Sequence, residues 1–162
     1  KRQYMERLNE GDIFASWTFA GETTGLAACK ATLTVLRETF ALAQLHHYGR
    51  EYAFKLMDDL ELHGLPASVY GHAPRIQVRW RDTERATAAE LRTLWMAEHA
   101  KRNILLGIGV IFPQTCWGDT ELGILKQASS EVTAIIREAI DTKTVQARPS
   151  CPVIGDVLSV RV

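Results

Sequence analysis

The chain has 162 residues, enough for one domain with a core of its own. Its 19 basic and 19 acidic side chains balance, which excludes a broad electrostatic pull toward nucleic acid or an anionic membrane. No apolar run approaches the ~20 residues that a membrane-spanning helix needs, and no signal-peptide pattern opens the chain.

In chain order, residues 3–8 read as a short helical turn ended by Asn9-Glu10-Gly11, and Ile13-Phe14-Ala15 as a short buried strand. The turn Ser16 to Glu22 follows, and then a helix from Thr23 to about Leu36. Leu26, Lys30, Leu33 and Leu36 mark this helix, with Ala27, Ala28 and Ala31 beside them. Cys29 is expected to be a small buried apolar group. Gly25 costs about 1 kcal/mol of helix propensity against Ala, so another backbone or a cofactor is expected to approach it.

A long helix spans Ala41 to Leu62, with an apolar stripe of Leu42, Leu45, Tyr48, Tyr52, Leu56, Asp59/Leu60 and Leu62. Gly64 and Pro66 end it. Ser68–Tyr70 form a strand and Gly71–Pro74 a turn. Ile76, Val78 and Trp80 then alternate with Arg75, Gln77 and Arg79 as a half-buried strand. A helix from about Thr87 to Lys101 shows Leu91, Leu94, Trp95 and His99 on one face and stops at Asn103. Ile104–Leu106 and Val110–Phe112 read as short strands. Asp119 or Thr120 caps a last helix with Leu122, Leu125, Ala128, Val132, Ile135, Ile136 and Ile140 at helical period, and the tail after Asp141 is irregular. Such an order predicts the α+β class: an antiparallel sheet with helices packed on one face.

The chemistry starts at Ser16-Trp17-Thr18-Phe19-Ala20-Gly21-Glu22. A hydroxyl-bearing turn that opens a helix can hold an anion, because the first-turn N–H groups have no intrahelical acceptor and the dipole is positive there. Plain helix capping by the same hydroxyls is the competing reading.

The whole segment Phe14 to Leu33 resembles the class III, pyridoxal-phosphate-dependent aminotransferases, and most of all their glutamate-1-semialdehyde aminomutase-like branch. That branch carries a strand, a Ser/Thr-Thr-Phe-Gly-Gly-Glu/Asn-like turn and an Ala-rich helix ending in Ala-Thr-Leu. Here Ala20 replaces a glycine of the turn, and Trp17 stands where a small residue is common. Gly71-His72-Ala73-Pro74-Arg75 resembles the family's Gly-His-Pro-Ala-Arg turn, and Met96 to Leu106 a later helix-to-strand segment. The resemblance implies the C-terminal part of a fold-type I transferase. Residues 1–40 would end its large cofactor-binding domain, and 41–162 would form its small C-terminal domain.

The same resemblance implies pyridoxal 5′-phosphate as cofactor, small-molecule amino donors and acceptors, and a homodimer; a cytoplasmic setting is expected from the cysteines. The odd and widely spaced Cys29, Cys116 and Cys151 also suit a reducing compartment. Thr18 corresponds to the family's phosphate-contacting threonine, which serves the partner subunit's site. Trp17 and Phe19 would shape that loop. Transfer of an amino group through a lysine aldimine needs a lysine at a strand end, and Lys1, Lys30, Lys55, Lys101, Lys126 and Lys143 do not stand in that context. The catalytic lysine is therefore expected upstream of residue 1, and this chain by itself is expected to be inactive. The alternative is a truncated, non-catalytic α+β interaction domain.

Arg75 and Arg79 project from one side of their strand and could clamp a substrate carboxylate; ordinary solvent-facing arginines are the competing reading. Arg75 is the better candidate because it matches an arginine of the family's turn. His46, His47, His63 and His72 lack the i, i+4 spacing of helical zinc ligands, so no metal site is expected. Cys116 has no partner histidine or acid in a recognisable motif.

Overall fold

A computed structural model describes Arg2, Glu6 and residues 22–108 and 110–155. The expected turn at residues 3–8, the strand Ile13–Ala15 and the segment Ser16–Gly21 lie outside the described residues, apart from Arg2 and Glu6, which form an exposed ion pair. The chain divides into two compact units, Lys1–Phe40 and Ala41–Val162.

In the first unit, helix α1 spans Thr23–Glu38. None of its residues is buried, and Leu26, Leu33 and Val35 are all exposed. Cys29, expected to be buried, is exposed too. Helix α1 presents no buried face, so Cys29 has no core to enter. Among the described residues, a Cβ on Gly25 would meet Glu22 side-chain atoms at 3.7 Å or more.

The second unit holds helix α2 (Ala41–Leu62), strands β1 (Ala67–His72) and β2 (Arg75–Trp80), helix α3 (Ala88–Ala100), strand β3 (Val110–Ile111) and helix α4 (Asp119–Asp141). The three strands form one antiparallel sheet in the order β1-β2-β3. On β2, Ile76, Val78 and Trp80 are buried, while Arg75, Gln77 and Arg79 occupy the opposite face. Period-2 alternation thus sorts this strand into a core face and an open face. The fold is α+β.

Tyr48, Tyr52, Leu56 and Leu60 give α2 its buried stripe at successive turns. Leu42 and Leu62, read as part of that stripe, are exposed although Ala41 and Leu60 near them are buried, because they fall on the outer side of the helix. Leu91, Leu94 and Trp95 of α3 and Leu122, Leu125, Val132 and Ile136 of α4 complete the core. The Trp80 and Trp95 rings meet at 5.9 Å with a 53° tilt.

Three helices end in the same way. Leu65 N–H donates to Leu60 O and Gly64 N–H to Glu61 O, both at 2.9 Å, which is the Schellman pattern with glycine in the left-handed position. Asn103 (φ 60°) does this for α3 and Lys143 (φ 57°) for α4.

At the other ends, Thr87 and Glu90 form a capping box on α3. For α4 the cap is not Asp119 or Thr120. Gly118 is the N-cap, and the Glu121 carboxylate accepts from its N–H at 2.7 Å. Gly118 carries no side chain, so Glu121 reaches back alone. The strand expected at Ile104–Leu106 does not form: these residues are irregular and Leu105 is 90% exposed. Ile104 N–H donates to His99 O at 3.0 Å in the end of α3, and among the described residues no strand pairs with the triplet.

Candidate functional site

Thr18, Trp17 and Phe19 lie outside the described residues. The described part of that region begins at Glu22, whose backbone is extended and whose side chain does not cap α1. Glu22 O accepts from Leu26 N–H at 3.0 Å.

Arg75 opens β2, exposed and directly across from His72. The Gln77 amide oxygen accepts from both Nη atoms of Arg75, at 2.6 and 2.9 Å. The amide nitrogen of Gln77 in turn donates to Tyr70 Oη at 3.0 Å. The hairpin pairs Tyr70 with Gln77, so strand register itself assembles this polar row on the open face. Arg79 stands on the same face, exposed and without a hydrogen-bond or ion-pair partner among the described residues.

The described lysines do not form a cofactor site. Lys55 pairs with Asp59 and donates to Ser130 Oγ at 2.6 Å. Lys101 pairs with Glu98 and Lys126 with Glu51. Lys30 and Lys143 are exposed. A Schiff-base lysine must be a free amine held in a pocket, and these ammonium groups are ion-paired or solvated. Among the described residues, histidine, cysteine and carboxylate side chains nowhere gather in a metal-binding group. Cys116 is exposed and donates weakly to Gln114 Oε1 at 3.5 Å.

The most buried polar cluster is one whose pairing is not visible in the sequence. Tyr52 of α2, His99 of α3 and Ser129 of α4 meet in the core, each fully buried. Tyr52 Oη lies 2.9 Å from Ser129 Oγ, and Ser129 Oγ lies 3.1 Å from His99 Nε2. His99 Nδ1 lies 2.8 Å from the Trp95 carbonyl oxygen. A carbonyl only accepts, so Nδ1 carries the proton and neutral Nε2 accepts from Ser129, which accepts from Tyr52. Burial pushes the His99 imidazolium pKa down to about 4, against the pull of the Trp95 carbonyl, and holds the Tyr52 phenol above its usual range. The local signals in the sequence are a tyrosine in the apolar stripe of α2, a histidine on the apolar face of α3 and a serine inside the apolar stripe of α4.

No family model matches the chain, and no curated protein matches it significantly. Solved structures do. The internal aldimine form of the FumI protein of Sphingopyxis sp. MTA144 is 20% identical over 81% of this chain, with a TM-score of 0.65. An omega-transaminase from Sphaerobacter thermophilus is 18% identical over 77% of this chain, with a TM-score of 0.57. A transaminase with PLP bound is 16% identical over 61% of this chain, with a TM-score of 0.56. This chain spans 24% of the last and 31% of each of the others, about a quarter to a third of their length. At these identities the likeness is one of fold: the chain is built like part of a pyridoxal-phosphate-dependent transaminase.

Proposed function

We propose that this chain is the C-terminal part of a pyridoxal 5′-phosphate-dependent aminotransferase or aminomutase, with residues 1–40 ending the large domain and 41–162 forming the small one. The observation that carries the reading is the fold likeness to transaminase structures over 61–81% of the chain. The turn at Ser16–Glu22 and the Gly71–Arg75 hairpin, which resemble the aminomutase-like branch, support it independently.

When bound, the cofactor supplies the electron sink for amino-group transfer. The described lysines do not fit the role of its anchoring lysine, and in this reading that lysine lies upstream of residue 1. In this reading Thr18, with Trp17 and Phe19 around it, contacts the cofactor phosphate of a partner subunit in a homodimer. The small domain, with Arg75 on its open sheet face, borders the site of a small amino donor or acceptor. The three exposed, unpaired cysteines support a reducing, cytoplasmic setting.

The test is spectroscopic. The protein made together with the coding sequence upstream of Lys1 is expected to show an absorbance band near about 420 nm that borohydride removes. The 162-residue chain alone is expected to lack it. A colourless longer protein, or a stop codon directly upstream, overturns the reading in favour of a non-catalytic interaction domain.

A further inference from the structure

Strand β1 is an outer strand of the sheet: β2 borders it on one side, and among the described residues no strand borders it on the other. Arg81 N–H donates to Pro66 O at 2.8 Å, which continues the register in which Ala67 faces Trp80. Bonded and unbonded pairs alternate along an antiparallel ladder, so Ser68, Tyr70 and His72 bond to β2. The Ala67 C=O, both backbone groups of Val69 and the Gly71 N–H therefore turn away from the sheet. Ala67 N–H is already engaged by Leu65 O at 2.8 Å. The strand Ala67-Ser68-Val69-Tyr70-Gly71-His72 holds no proline, lysine or carboxylate, the residues that commonly guard an open edge against pairing.

Helix α2 runs beside this edge within the same unit. Arg50, Phe54, Met57 and Glu61 share one side of it at helical spacing. Phe54 is 61% and Met57 47% exposed. Two hollows lie between helix and strand. Arg50 and His72 line the one at the end of β1, Glu61 and Ala67 the one at its start, and Met57 and Val69 line both. Charge is thus ordered along the groove: basic at one end, apolar in the middle, acidic at the other. A two-fold axis through Val69 reverses that order and sets each Arg50 against a Glu61. A surface complementary to itself under two-fold rotation has the form of an isologous interface.

We propose that two copies of this chain pair through the open edges of β1. Val69 N–H donates to the carbonyl oxygen of the partner's Val69, and Gly71 N–H to that of the partner's Ala67, each in both directions. The two sheets become one, Phe54 and Met57 of both copies cover the join, and Arg50 pairs with the partner's Glu61. An unrelated extended peptide would use the strand edge but not the charge order. The interface lies in the second unit and excludes Thr18, so it stands apart from the homodimer of the cofactor reading.

The test is sedimentation equilibrium of the full 162-residue chain. A monomer–dimer equilibrium with Kd on the order of 10 μM is expected. Val69→Pro removes an outward N–H that bonds nothing within the sheet, a change an edge strand accommodates, and is expected to raise Kd by about tenfold or more. Arg50→Glu and Glu61→Arg are each expected to raise it by about tenfold, because like charges then face each other twice. Both residues are exposed, so these variants should keep the native circular dichroism spectrum, and they decide the matter by themselves should Val69→Pro unfold the hairpin. Mixed in equal amounts, the two charge variants are expected to regain the parent affinity, because every contact then joins opposite charges. A monomer at concentrations on the order of 0.1 mM, a folded Val69→Pro that dimerises as the parent does, or a mixture no tighter than the separate charge variants each overturns the proposal.

Discussion

A Cβ placed on Gly49 would lie 1.8 Å from the carbonyl oxygen of Ala73. Helix α2 therefore meets the turn of the β1–β2 hairpin backbone to backbone, at the one point on the helix where a side chain has no room. Gly49→Ala must push the hairpin away from its helix. It is expected to destabilise the protein by about 3 kcal/mol or more, the upper end of overpacking effects, because the obstructing atom belongs to backbone and not to a flexible side chain.

Gly123 supplies the opposite sign. It lies in α4, exposed, and a Cβ there meets nothing within 4 Å. Gly123→Ala is expected to stabilise by about 0.5–1 kcal/mol, through helix propensity and a less flexible unfolded chain. Urea unfolding of the two variants side by side checks both values. A neutral Gly49→Ala would show that the hairpin does not dock on α2 as described.

Stability should depend on pH through His99. The unfolded chain binds a proton near pH 6.5, while the buried imidazole refuses it until about pH 4. The unfolded state thus holds more protons in that window, so stability falls as the pH drops from about 6.5 to 4, by up to about 3 kcal/mol, and is fully present above it. Denaturant midpoints measured across this range test the effect. In His99→Gln, which has nothing to titrate there, the slope should flatten even if the variant is less stable throughout.

Ser129→Ala removes the hydroxyl that joins Tyr52 to His99. Two buried polar atoms then lose a partner at once, and a loss of about 1–3 kcal/mol is expected in thermal or urea unfolding. The double change Tyr52→Phe with Ser129→Ala should cost less than the sum of the single changes, because one orphan is removed with its partner.

Lys143 ends α4 in the left-handed region, where its Cβ crowds the following carbonyl. Lys143→Gly keeps the bond from Thr144 N–H to Ala139 O at 2.8 Å and relieves that crowding. It is expected to raise stability by about 1 kcal/mol, seen as a higher midpoint without a change in denaturant slope.

Under the proposed function, Thr18→Val in the longer protein removes a hydroxyl from the phosphate-binding turn. Cofactor retention after dialysis, read from the band near about 420 nm, is expected to fall by about tenfold. Unchanged retention would remove Thr18 from that role.

Much of this molecule follows from local pattern. The span Ala41–Leu62 and its Gly64 stop, the alternation from Arg75 to Trp80, and the buried face Leu91-Leu94-Trp95-His99 are legible because helical and strand periods are written in neighbouring residues. Other features depend on partners far apart in the chain. Ile104–Leu106 is as apolar as a strand, yet Ile104 N–H goes to His99 O in the end of α3 and no described strand lies beside the triplet. Cys29 and Leu33 look like core residues, yet α1 buries none of its side chains.

The join of Tyr52 to Ser129, 77 residues apart, and the close approach of Gly49 to Ala73 exist only once three helices and a hairpin are packed together. The same holds for the groove between α2 and the open edge of β1. Periodicity tells each segment which face to hide. Only the packed core decides what that face meets and which polar groups find partners.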